Sequence, residues 1–553
     1  MNKTIVILGV LAVAAACSKS AAPESTAPAV PLYNNLGNYH YEITTASPEA
    51  QRYFDQGLTL SYAFNHAEAI RSFRQAASLD PDCAMCYWGV AYALGPNINA
   101  PLTPEAAKEA YEAIEQARQR ASRGSAKEQA YIAALAKRYS SDPKAERPPL
   151  DTAYAAAMKD VVAKFPDDID AATIYAQSLM DTSPWSYWNA DGSPRAFTSE
   201  VLASLESVLK RNTDHMGAIH FYIHAVEASP NPGRAEQYAD RLAALAPGAG
   251  HIVHMPGHIY LRTGRYNDAS TANENAIKAD AAYQAGNRAS GNMTYDIGYV
   301  PHNPHFFVVS ASLEGRRADA LRAADEVKGK VHSDMLRDPA MGGMVQHFTL
   351  TPLFTKLRFA MWDEVLAEPA PPQDIPYMQA VWQAARSIAY SATGRVAEAE
   401  KALAAVMAAK GDASLKSMYI SSVNVGSAVA DIAYEVAAGE LRARQKRAAE
   451  ATKHFATAVA LEDKLTYMEP PDWPIPVRQL QGAALLALGR TAEAEAAFQG
   501  DLKKFPRNGW SLSGLHASRV KQGRASDAAA LQTQLQEAWQ KADVKLEAGR
   551  VVK

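Results

Sequence analysis

The chain has 553 residues, a formal net charge of −3, 48% hydrophobic residues and 21% charged residues. This length exceeds what one compact core supports, so several domains or an elongated repeat array are expected. The near-neutral charge gives no general attraction to nucleic acid, and we expect no nucleic-acid partner. Abundant alanine and scarce runs of β-branched residues favour helices over strands.

The first 16 residues have the features of an export signal. Lys3 supplies a positive charge, and an apolar run from Thr4 to Ala16 follows that is too short to span a bilayer comfortably. The small residues before Cys17 resemble a bacterial lipoprotein cleavage site, so Cys17 is the predicted lipidation site and new N-terminus. Ordinary signal cleavage after Ala16 is the alternative.

A flexible tether is predicted to follow the signal. The segment from Ser18 to Pro31 is rich in serine, alanine and proline, a composition that cannot bury a core. Ser18, in place of aspartate, favours the outer membrane. We therefore expect an outer-membrane lipoprotein that faces the periplasm or the cell surface and contacts the membrane through its lipid anchor. A soluble periplasmic protein is the alternative.

A pattern of small and aromatic residues recurs along the rest of the chain. It is clearest in residues 50–83, at Tyr53, Gly57, Ala69, Phe73, Ala76 and Pro81. Matching frames return at Gly257 with Ala269, Gly315 with Ala320, Gly394 with Ala399, Gly489 with Ala494, and Gly523 with Ala528. The pattern resembles the tetratricopeptide repeat of about 34 residues, in which each unit is a pair of antiparallel helices, A and B.

This resemblance implies the fold and the domain organisation. The expected fold is an all-α tetratricopeptide-repeat α-solenoid, a right-handed superhelix of helix pairs with inserted loops and a concave groove lined by A helices. A signal peptide is expected at residues 1–16, and a lipidated N-terminus with its linker at 17–45. An N-terminal repeat array is expected at 46–290, and a C-terminal array, continuous with the first, at 291–553.

Two further cysteines, Cys83 and Cys86, lie close together. In an exported protein such a pair is expected to form a disulfide. The spacing is also compatible with free thiols, a redox motif or half of a metal site, and these alternatives stay open.

The 14 histidines of the chain are distributed unevenly. In the unit that begins at Gly250, the residues His251, His254 and His258 occupy repeat positions 2, 5 and 9. On a helix these three positions lie within about 60° of one another. The tetratricopeptide resemblance implies that they face the concave groove.

The neighbouring units carry the same stripe. The preceding unit, from Met216, has its stripe residues at positions 5, 9 and 12: His220, His224 and Glu227. The following unit has His302 at position 2 and His305 at position 5, and the unit after that has His347 at position 2. Packed helices lie about 8–10 Å apart, so imidazoles from two of them can converge on one ion.

The stripe predicts a transition-metal site. We expect an inner set of His220, His224, His254 and His258, with Glu227 and His305 as the next ligands and His251, His302 and His347 in an outer ring. A thiolate-free, histidine-rich set suits one or two ions of zinc, copper or iron. Glu227 is also the candidate catalytic base. The alternative is that these histidines only contact a ligand or stack on aromatic rings.

Two other segments are candidates for contact with a substrate. The segment 469–474 precedes a helix and offers Trp473 and, shortly after it, Arg478. The inserted loop 184–189 offers Trp185 and could cover the groove. His347 is the remaining substrate-binding candidate. The alternatives are a helix-entry turn for the first segment and hydrophobic anchoring of the loop for the second.

Two functions are compatible with these features. In the first, the groove holds a metal centre, and the protein is a metal-dependent hydrolase or oxidoreductase or handles metal ions. In the second, the protein is a non-catalytic scaffold whose groove binds a peptide, protein or small-molecule ligand. Residues 83–89, 247–260 and 469–473 are similar to stretches of a group of bacterial tetratricopeptide lipoproteins. That similarity implies the fold and the location of the site only.

Overall fold

Helix pairs stacked side by side build the chain in a computed structural model that describes residues 30–287 and 293–552. The predicted signal peptide, Cys17 and the predicted array boundary at residues 290 and 291 lie outside these residues, so they stay predictions. No helix in the described ranges is both long and apolar enough to cross a membrane.

The helices of the first half are, in chain order, α1 Pro48–Tyr62, α2 His66–Leu79, α3 Ala84–Leu94, α4 Pro104–Arg120, α5 Ala126–Leu135, α6 Arg147–Lys164, α7 Ile169–Asp181, α8 Thr198–Arg211, α9 Met216–Val226, α10 Glu236–Leu245, α11 Gly250–His254, α12 Pro256–Thr263 and α13 Tyr266–Asn287. Short 3-10 turns occur at Ala121–Arg123, Ala136–Arg138, Pro232–Ala235, Ser333–Met335 and Ala413–Lys416.

The second half continues with α14 Met293–Gly298, α15 His302–Leu313, α16 Arg317–Lys330, α17 Gly342–Thr349, α18 Thr351–Arg358, α19 Trp362–Ala367, α20 Pro376–Ala392, α21 Val396–Lys410, α22 Gly426–Arg444, α23 Ala448–Glu462, α24 Val477–Ala487, α25 Thr491–Lys504, α26 Gly509–Lys521 and α27 Ala525–Ala538. A two-stranded antiparallel hairpin, β1 Lys545–Glu547 and β2 Arg550–Val552, follows. The expectation of an all-α repeat solenoid is confirmed.

Small residues bring the helices of a unit together, as the repeat pattern predicts. Phe73 on α2 is fully buried between Gly57 on α1 and Gly89 on α3. A Cβ atom would lie 2.7 Å from the Phe73 ring at Gly57 and 2.3 Å from it at Gly89. The phenylalanine ring therefore occupies the space that these two glycines leave.

The turn between helices A and B also repeats. Five glycines of the predicted frame have φ angles between 73° and 79°: Gly264, Gly315, Gly394, Gly489 and Gly523. This left-handed conformation has no steric cost for glycine. The shared conformation explains why a Gly-Arg or similar pair marks so many of the units.

The segment before α1 is more ordered than a tether. Leu36, Tyr41 and Ile43 are buried, and the Tyr53 hydroxyl donates a hydrogen bond of 2.9 Å to the carbonyl oxygen of Val30. Residues 30–45, which we predicted to belong to the flexible linker, therefore pack on the first unit. Their aromatic and aliphatic side chains supply apolar surface that the preceding Ser/Ala/Pro segment lacks.

The far end of the solenoid returns to its middle. The Tyr266 hydroxyl donates a hydrogen bond of 2.7 Å to the carbonyl oxygen of Pro506, and the Trp510 indole donates one of 2.8 Å to that of Ser312. The amide of Asp543 donates to the carbonyl oxygen of Gly315 at 3.1 Å. These contacts bring residues 506–543 against units that lie far away in sequence.

Cys83 and Cys86 are joined by a disulfide at the start of α3. Cys83 is the N-cap of that helix, where its sulfur accepts from the amide of Cys86 at 3.1 Å. The bridge lies far from the histidine stripe in sequence, so it is a local feature of the second unit.

Candidate metal centre

Three neighbouring A helices carry the histidine stripe. His220 and His224 lie on α9, and Glu227 is the first residue after it. The next A helix consists of α11 and α12, which are separated only by Met255 in a helical conformation before Pro256. The third A helix is α15. Its first residue, His302, faces α11 and α12.

The first triad consists of His220, His224 and His251, whose ligand nitrogens all lie within 4.8 Å of one another. The Nε2 atoms of His220 and His251 are 3.1 Å apart. The Nε2 atom of His224 is buried and has no hydrogen-bond partner among the described residues. All three side chains are buried.

The second triad consists of His254, His258 and His302, which satisfy the same distance limit. The Nε2 atom of His254 lies 2.7 Å from that of His258 and 3.1 Å from that of His302. His254 and His258 are buried, and His302 is half-buried. Each triad therefore combines positions 5 and 9 of one unit with position 2 of the next.

Glu227 joins the two triads. One carboxylate oxygen accepts a hydrogen bond from Nδ1 of His224 at 2.8 Å, and the other accepts one from Nδ1 of His258 at 2.5 Å. The carboxylate is fully buried. Carboxylates in this place fix the tautomer and the orientation of metal-binding histidines.

Two more acceptors hold the Nδ1 atoms of His220 and His254. His220 Nδ1 lies 2.6 Å from the carbonyl oxygen of Tyr62, and His254 Nδ1 lies 2.8 Å from Oδ1 of Asn273. The Asn273 amide nitrogen donates to the carbonyl oxygen of Ala269, which fixes the orientation of that amide. In a neutral ring a proton on Nδ1 leaves Nε2 with a lone pair, so both histidines direct lone pairs into their triads.

Aromatic rings enclose both triads. Phe64 lies against the first, with its ring centre 4.5 Å from that of His220, and Phe306 lies against the second, 5.0 Å from both His254 and His258. Trp185, from the inserted loop that we predicted to cover the groove, contacts His224 edge-on at 5.3 Å. The surroundings are apolar, which strengthens electrostatic interactions inside the site.

The environment keeps most of these imidazoles neutral. Burial, followed by repulsion from neighbouring imidazoles, lowers the pKa of His220, His251 and His254 well below the usual range. Burial also lowers the pKa of His224 and brings that of His302 to about 3. These five pKa values are lowered, so these rings are neutral at neutral pH, the form that binds metals.

His258 and Glu227 form a buried ion pair. Burial opposes the charged form of each, but their mutual attraction exceeds that effect and raises the pKa of His258 while lowering that of Glu227. In the metal-free chain this pair therefore carries one positive and one negative charge.

A second carboxylate reaches the site from the far end of the solenoid. Glu469 lies with one oxygen 3.9 Å from Nδ1 of His258, and that oxygen is buried without a hydrogen-bond partner in the part of the chain that the structure describes. Burial raises the pKa of Glu469 to about 8. The Tyr467 hydroxyl donates to Glu469 and approaches Glu227 at 3.4 Å. Glu227, His258 and Glu469 form a third group with metal-binding spacing.

A cavity of about 420 Å³ adjoins this carboxylate. Its walls include Glu469, Tyr467, Trp473 and Arg262. The volume falls within the range of small-molecule sites. A small molecule in this cavity would meet Glu469 and Tyr467 before it reached the histidines.

Comparison with known proteins bears on the fold. A family model described as tetratricopeptide repeat matches residues 50–83, the same residues in which the repeat pattern is clearest. Residues 50–83 are therefore a tetratricopeptide repeat, and the stacked helix pairs fit a solenoid of such repeats. Proteins built from this repeat commonly bind peptide or protein partners. A search of curated proteins found no match.

Solved structures similar to this chain include human IFIT1 as a dimer with PPP-AAAA, at 12% identity and a TM-score of 0.32; the match covers 87% of this chain and 88% of that one. Yeast Tom70 matches at 12% identity and a TM-score of 0.27, and the match covers 89% of this chain and 93% of that one. The Cut9-Hcn1 hetero-tetramer of the APC/C matches at 12% identity and a TM-score of 0.30. The match covers 89% of this chain and 74% of that one. These superpositions carry no argument about function.

The structure places the predicted ligands differently from the inner and outer sets expected from the sequence. His251 and His302 are full members of the two triads, and the four histidines of the expected inner square belong to two separate groups. Glu227 bridges two Nδ1 atoms, so both of its oxygens are already engaged as acceptors. The stripe is also buried rather than open to the groove. Phe64 and Trp185 lie against the first triad, and Tyr467 and Glu469 lie beside Glu227 and His258.

His305 and His347 lie outside both triads. Their rings are 5.9 Å apart, and His347 Nδ1 lies 2.7 Å from the Tyr377 hydroxyl. They occupy position 5 of one unit and position 2 of the next, the same relation as in the triads. We call this pair the third copy. It is incomplete, because Val309 occupies position 9.

The two candidates near residue 475 have separate roles. Trp473 is buried against Phe354 and lines the 420 Å³ cavity. Arg478 instead forms a two-pronged ion pair with Asp463, at 2.8 and 2.6 Å, and does not reach the histidines. Its helix, α24, begins two residues later than expected.

Sequence reasoning missed Glu469, Tyr467 and Asn273. Glu469 stood in a segment that the sequence singled out, but nothing in the repeat frame places that segment beside α12. Asn273 lies on a B helix one turn after Ala269, so a search for buried amides facing the stripe could have found it.

Proposed function

We propose that the two triads each bind a transition-metal ion, so that the protein has a centre with two metals. The observation that carries this proposal is the contact of His254 Nε2 with two other Nε2 atoms, at 2.7 and 3.1 Å. Two of these three rings have their Nδ1 protons engaged by Asn273 and Glu227. Once His258 has lost its second proton, the Nε2 lone pairs of His254 and His258 face one another.

Converging lone pairs repel unless a cation lies between them. One proton relieves a single contact between two nitrogens, whereas a metal ion accepts all three lone pairs of a triad at bond lengths of about 2.0–2.1 Å. The Nδ1 hydrogen bonds to Glu227, Asn273 and the Tyr62 carbonyl are the outer partners that metal-binding histidines ordinarily have. Three neutral imidazoles per ion suit zinc, copper or iron.

The coordination also favours catalysis over storage. Three protein ligands leave an ion with an open position, as in catalytic zinc sites, whereas structural sites are closed by four ligands. The adjoining cavity has room for a small molecule, and the Glu469 carboxyl group lies between that cavity and His258. We therefore propose a metal-dependent hydrolase or oxidoreductase that activates water or dioxygen.

Metal analysis tests the centre. We expect two equivalents of zinc, copper or iron in the wild type, one in His251→Ala, one in His302→Ala and none in the double variant. His305→Ala is the matched control, since it removes a buried histidine outside both triads and is expected to keep two equivalents. The proposal fails if the folded wild type binds none of these metals, or if His305→Ala loses as much metal as the triad variants.

Turnover tests the catalytic part separately. The zinc form is assayed with p-nitrophenyl acetate and bis-p-nitrophenyl phosphate, and the copper and iron forms by dioxygen uptake with ascorbate. We expect activity in the wild type, loss in His302→Ala, and a lower rate with both metals retained in Glu469→Gln. A fully metal-loaded wild type that is inactive in all these assays would assign the centre to metal handling instead.

We further propose that the protein is exported and anchored by a lipid on Cys17. The supporting observation is the apolar N-terminal run that ends in small residues before Cys17. Metabolic labelling with a palmitate analogue is expected to mark the wild type and not Cys17→Ala. Equal labelling of both would contradict the anchor, and cleavage of both after Ala16 would indicate a soluble exported protein.

A further inference from the structure

A second cavity, of about 510 Å³, lies in the C-terminal half of the chain, with walls from α18, α20, α22, α24 and β2. Most of its lining is apolar, including Ile388, Leu480 and Trp510. None of its lining residues belongs to the histidine triads or to the 420 Å³ cavity. It is therefore a separate compartment of the fold.

Arg358 lines this cavity and is the least satisfied charged side chain in it. The residue is only 7% exposed, and its Nε and Nη2 atoms are buried without a hydrogen-bond partner among the described residues. The guanidinium lies over the ring of Trp510, 3.6 Å from the ring centre. Burial lowers the pKa of Arg358 to about 9, so the group keeps its positive charge at neutral pH.

A buried cation without a partner is costly, since both its charge and its donors lose water. The cation–π contact with Trp510 offsets only a small part of that cost. The guanidinium keeps N–H donors that no described residue accepts, at Nε and Nη2. These donors belong to a planar fork, the geometry that binds a carboxylate through two parallel hydrogen bonds.

The other charges of the lining are also predominantly positive. Arg444, Lys446 and Arg550 line the cavity, against one carboxylate, Glu440. Glu440 is already paired with Arg550 at 2.8 and 3.0 Å. The nearest electrostatic partner of Arg358 on another element is Asp501, which accepts hydrogen bonds from other side chains and forms no ion pair with Arg358 within the described residues.

We propose that this cavity binds a small organic carboxylate with an apolar body, whose carboxylate pairs with Arg358. The apolar walls accommodate the body, and the positive lining attracts the charge. A purely apolar ligand leaves the guanidinium unpaired, and a small inorganic anion leaves the apolar walls unfilled. The proposed ligand satisfies both parts of the cavity.

Octanoate is the probe for this site, with octanol and inorganic phosphate as comparisons. Calorimetry on the full chain is expected to show octanoate binding to the wild type and at least tenfold weaker binding to Arg358→Gln. Octanol and phosphate are expected to bind the wild type at least tenfold more weakly than octanoate. Arg337→Gln is the matched control, because Arg337 is an exposed, paired arginine far from the cavity.

Leu488→Trp adds bulk at the half-buried wall of the cavity and leaves Arg358 intact. It is expected to weaken octanoate binding as well, which keeps the test valid if Arg358→Gln fails to fold. Equal binding of octanoate to the wild type and to a folded Arg358→Gln or Leu488→Trp variant would overturn the proposal. The proposal would also be overturned if octanol bound as tightly as octanoate, or if phosphate were the only one of the three probes to bind.

Discussion

Replacing Glu227 by glutamine tests how the two triads are connected. The carboxylate accepts one hydrogen bond from His224 Nδ1 at 2.8 Å and one from His258 Nδ1 at 2.5 Å. Glutamine keeps the shape of the side chain but offers one acceptor oxygen and one NH₂ donor. Only one of the two imidazoles therefore keeps an acceptor. The other must turn or change its tautomer, which takes its Nε2 lone pair away from the ion.

The expected magnitude follows from this geometry. Loss of such an outer partner lowers metal affinity by about 10- to 100-fold, or about 1.4 to 2.7 kcal/mol. In Glu227→Gln the metal affinity of one triad is expected to fall by this factor of about 10 to 100. The other is expected to lose less, because its histidine keeps a neutral acceptor in place of a charged one. Asn273→Ala is the control, since His254 is the one triad histidine in the described residues that Asn273 hydrogen-bonds, and its loss is expected to weaken the second triad alone.

Competition titration with a chromophoric chelator measures both affinities, for zinc and for copper(I), and circular dichroism checks that each variant is folded. If Glu227→Gln binds two ions with unchanged affinities, the bridging role is wrong. If instead Glu227→Gln and Glu469→Gln each remove one ion completely, the two carboxylates are themselves ligands, in the third group with His258.

Three more predictions follow from single features. Burial raises the pKa of Asp280 from 3.8 to about 7, so between these pH values the folded chain holds a proton that the unfolded chain releases. The free energy of unfolding is therefore expected to fall by up to about 4 kcal/mol between pH 4 and pH 7. Urea titrations of Asp280→Asn should show a smaller fall over the same range. Val309→His is expected to complete the third copy and add one equivalent of metal to a folded variant; unchanged metal content would contradict the position rule. Replacing Cys83 and Cys86 with serine is expected to lower the free energy of unfolding by only about 2 kcal/mol, because a disulfide that closes a short loop stabilises a protein modestly. Thermal melts of the wild type in reductant should match those of the variant. A wild-type melting temperature that does not change in reductant would count against the bridge.

Much of the fold follows from short-range constraints that the sequence carries openly. Gly57 and Gly89 are required by the ring of Phe73, and the Gly-Arg turns need a left-handed residue. These requirements lie within one unit or between adjacent units, so they recur at a readable spacing. The phase of the histidines is predictable for the same reason, since repeat positions fix which face of an A helix each one occupies.

The grouping of the histidines could not be read from one helix. Position 2 looks peripheral on its own helix, yet His251 and His302 each meet positions 5 and 9 of the preceding unit. That outcome depends on the offset between neighbouring units, which the uneven insertions conceal. The contacts of Glu469 and Tyr467 with the site were harder still to predict. They form because the C-terminal part of the chain folds back on the middle of the solenoid, and not through a contact between neighbouring repeats.

That return has a consequence for how the protein can change in evolution. Open repeat arrays gain and lose whole units readily, because each unit touches only its neighbours. Here the contacts Tyr266–Pro506, Trp510–Ser312 and Gly315–Asp543 tie units that are about 200 residues or more apart. Deleting or duplicating one unit between them would misalign all three at once. The number of repeats is therefore expected to be fixed, as blade number is in a closed propeller.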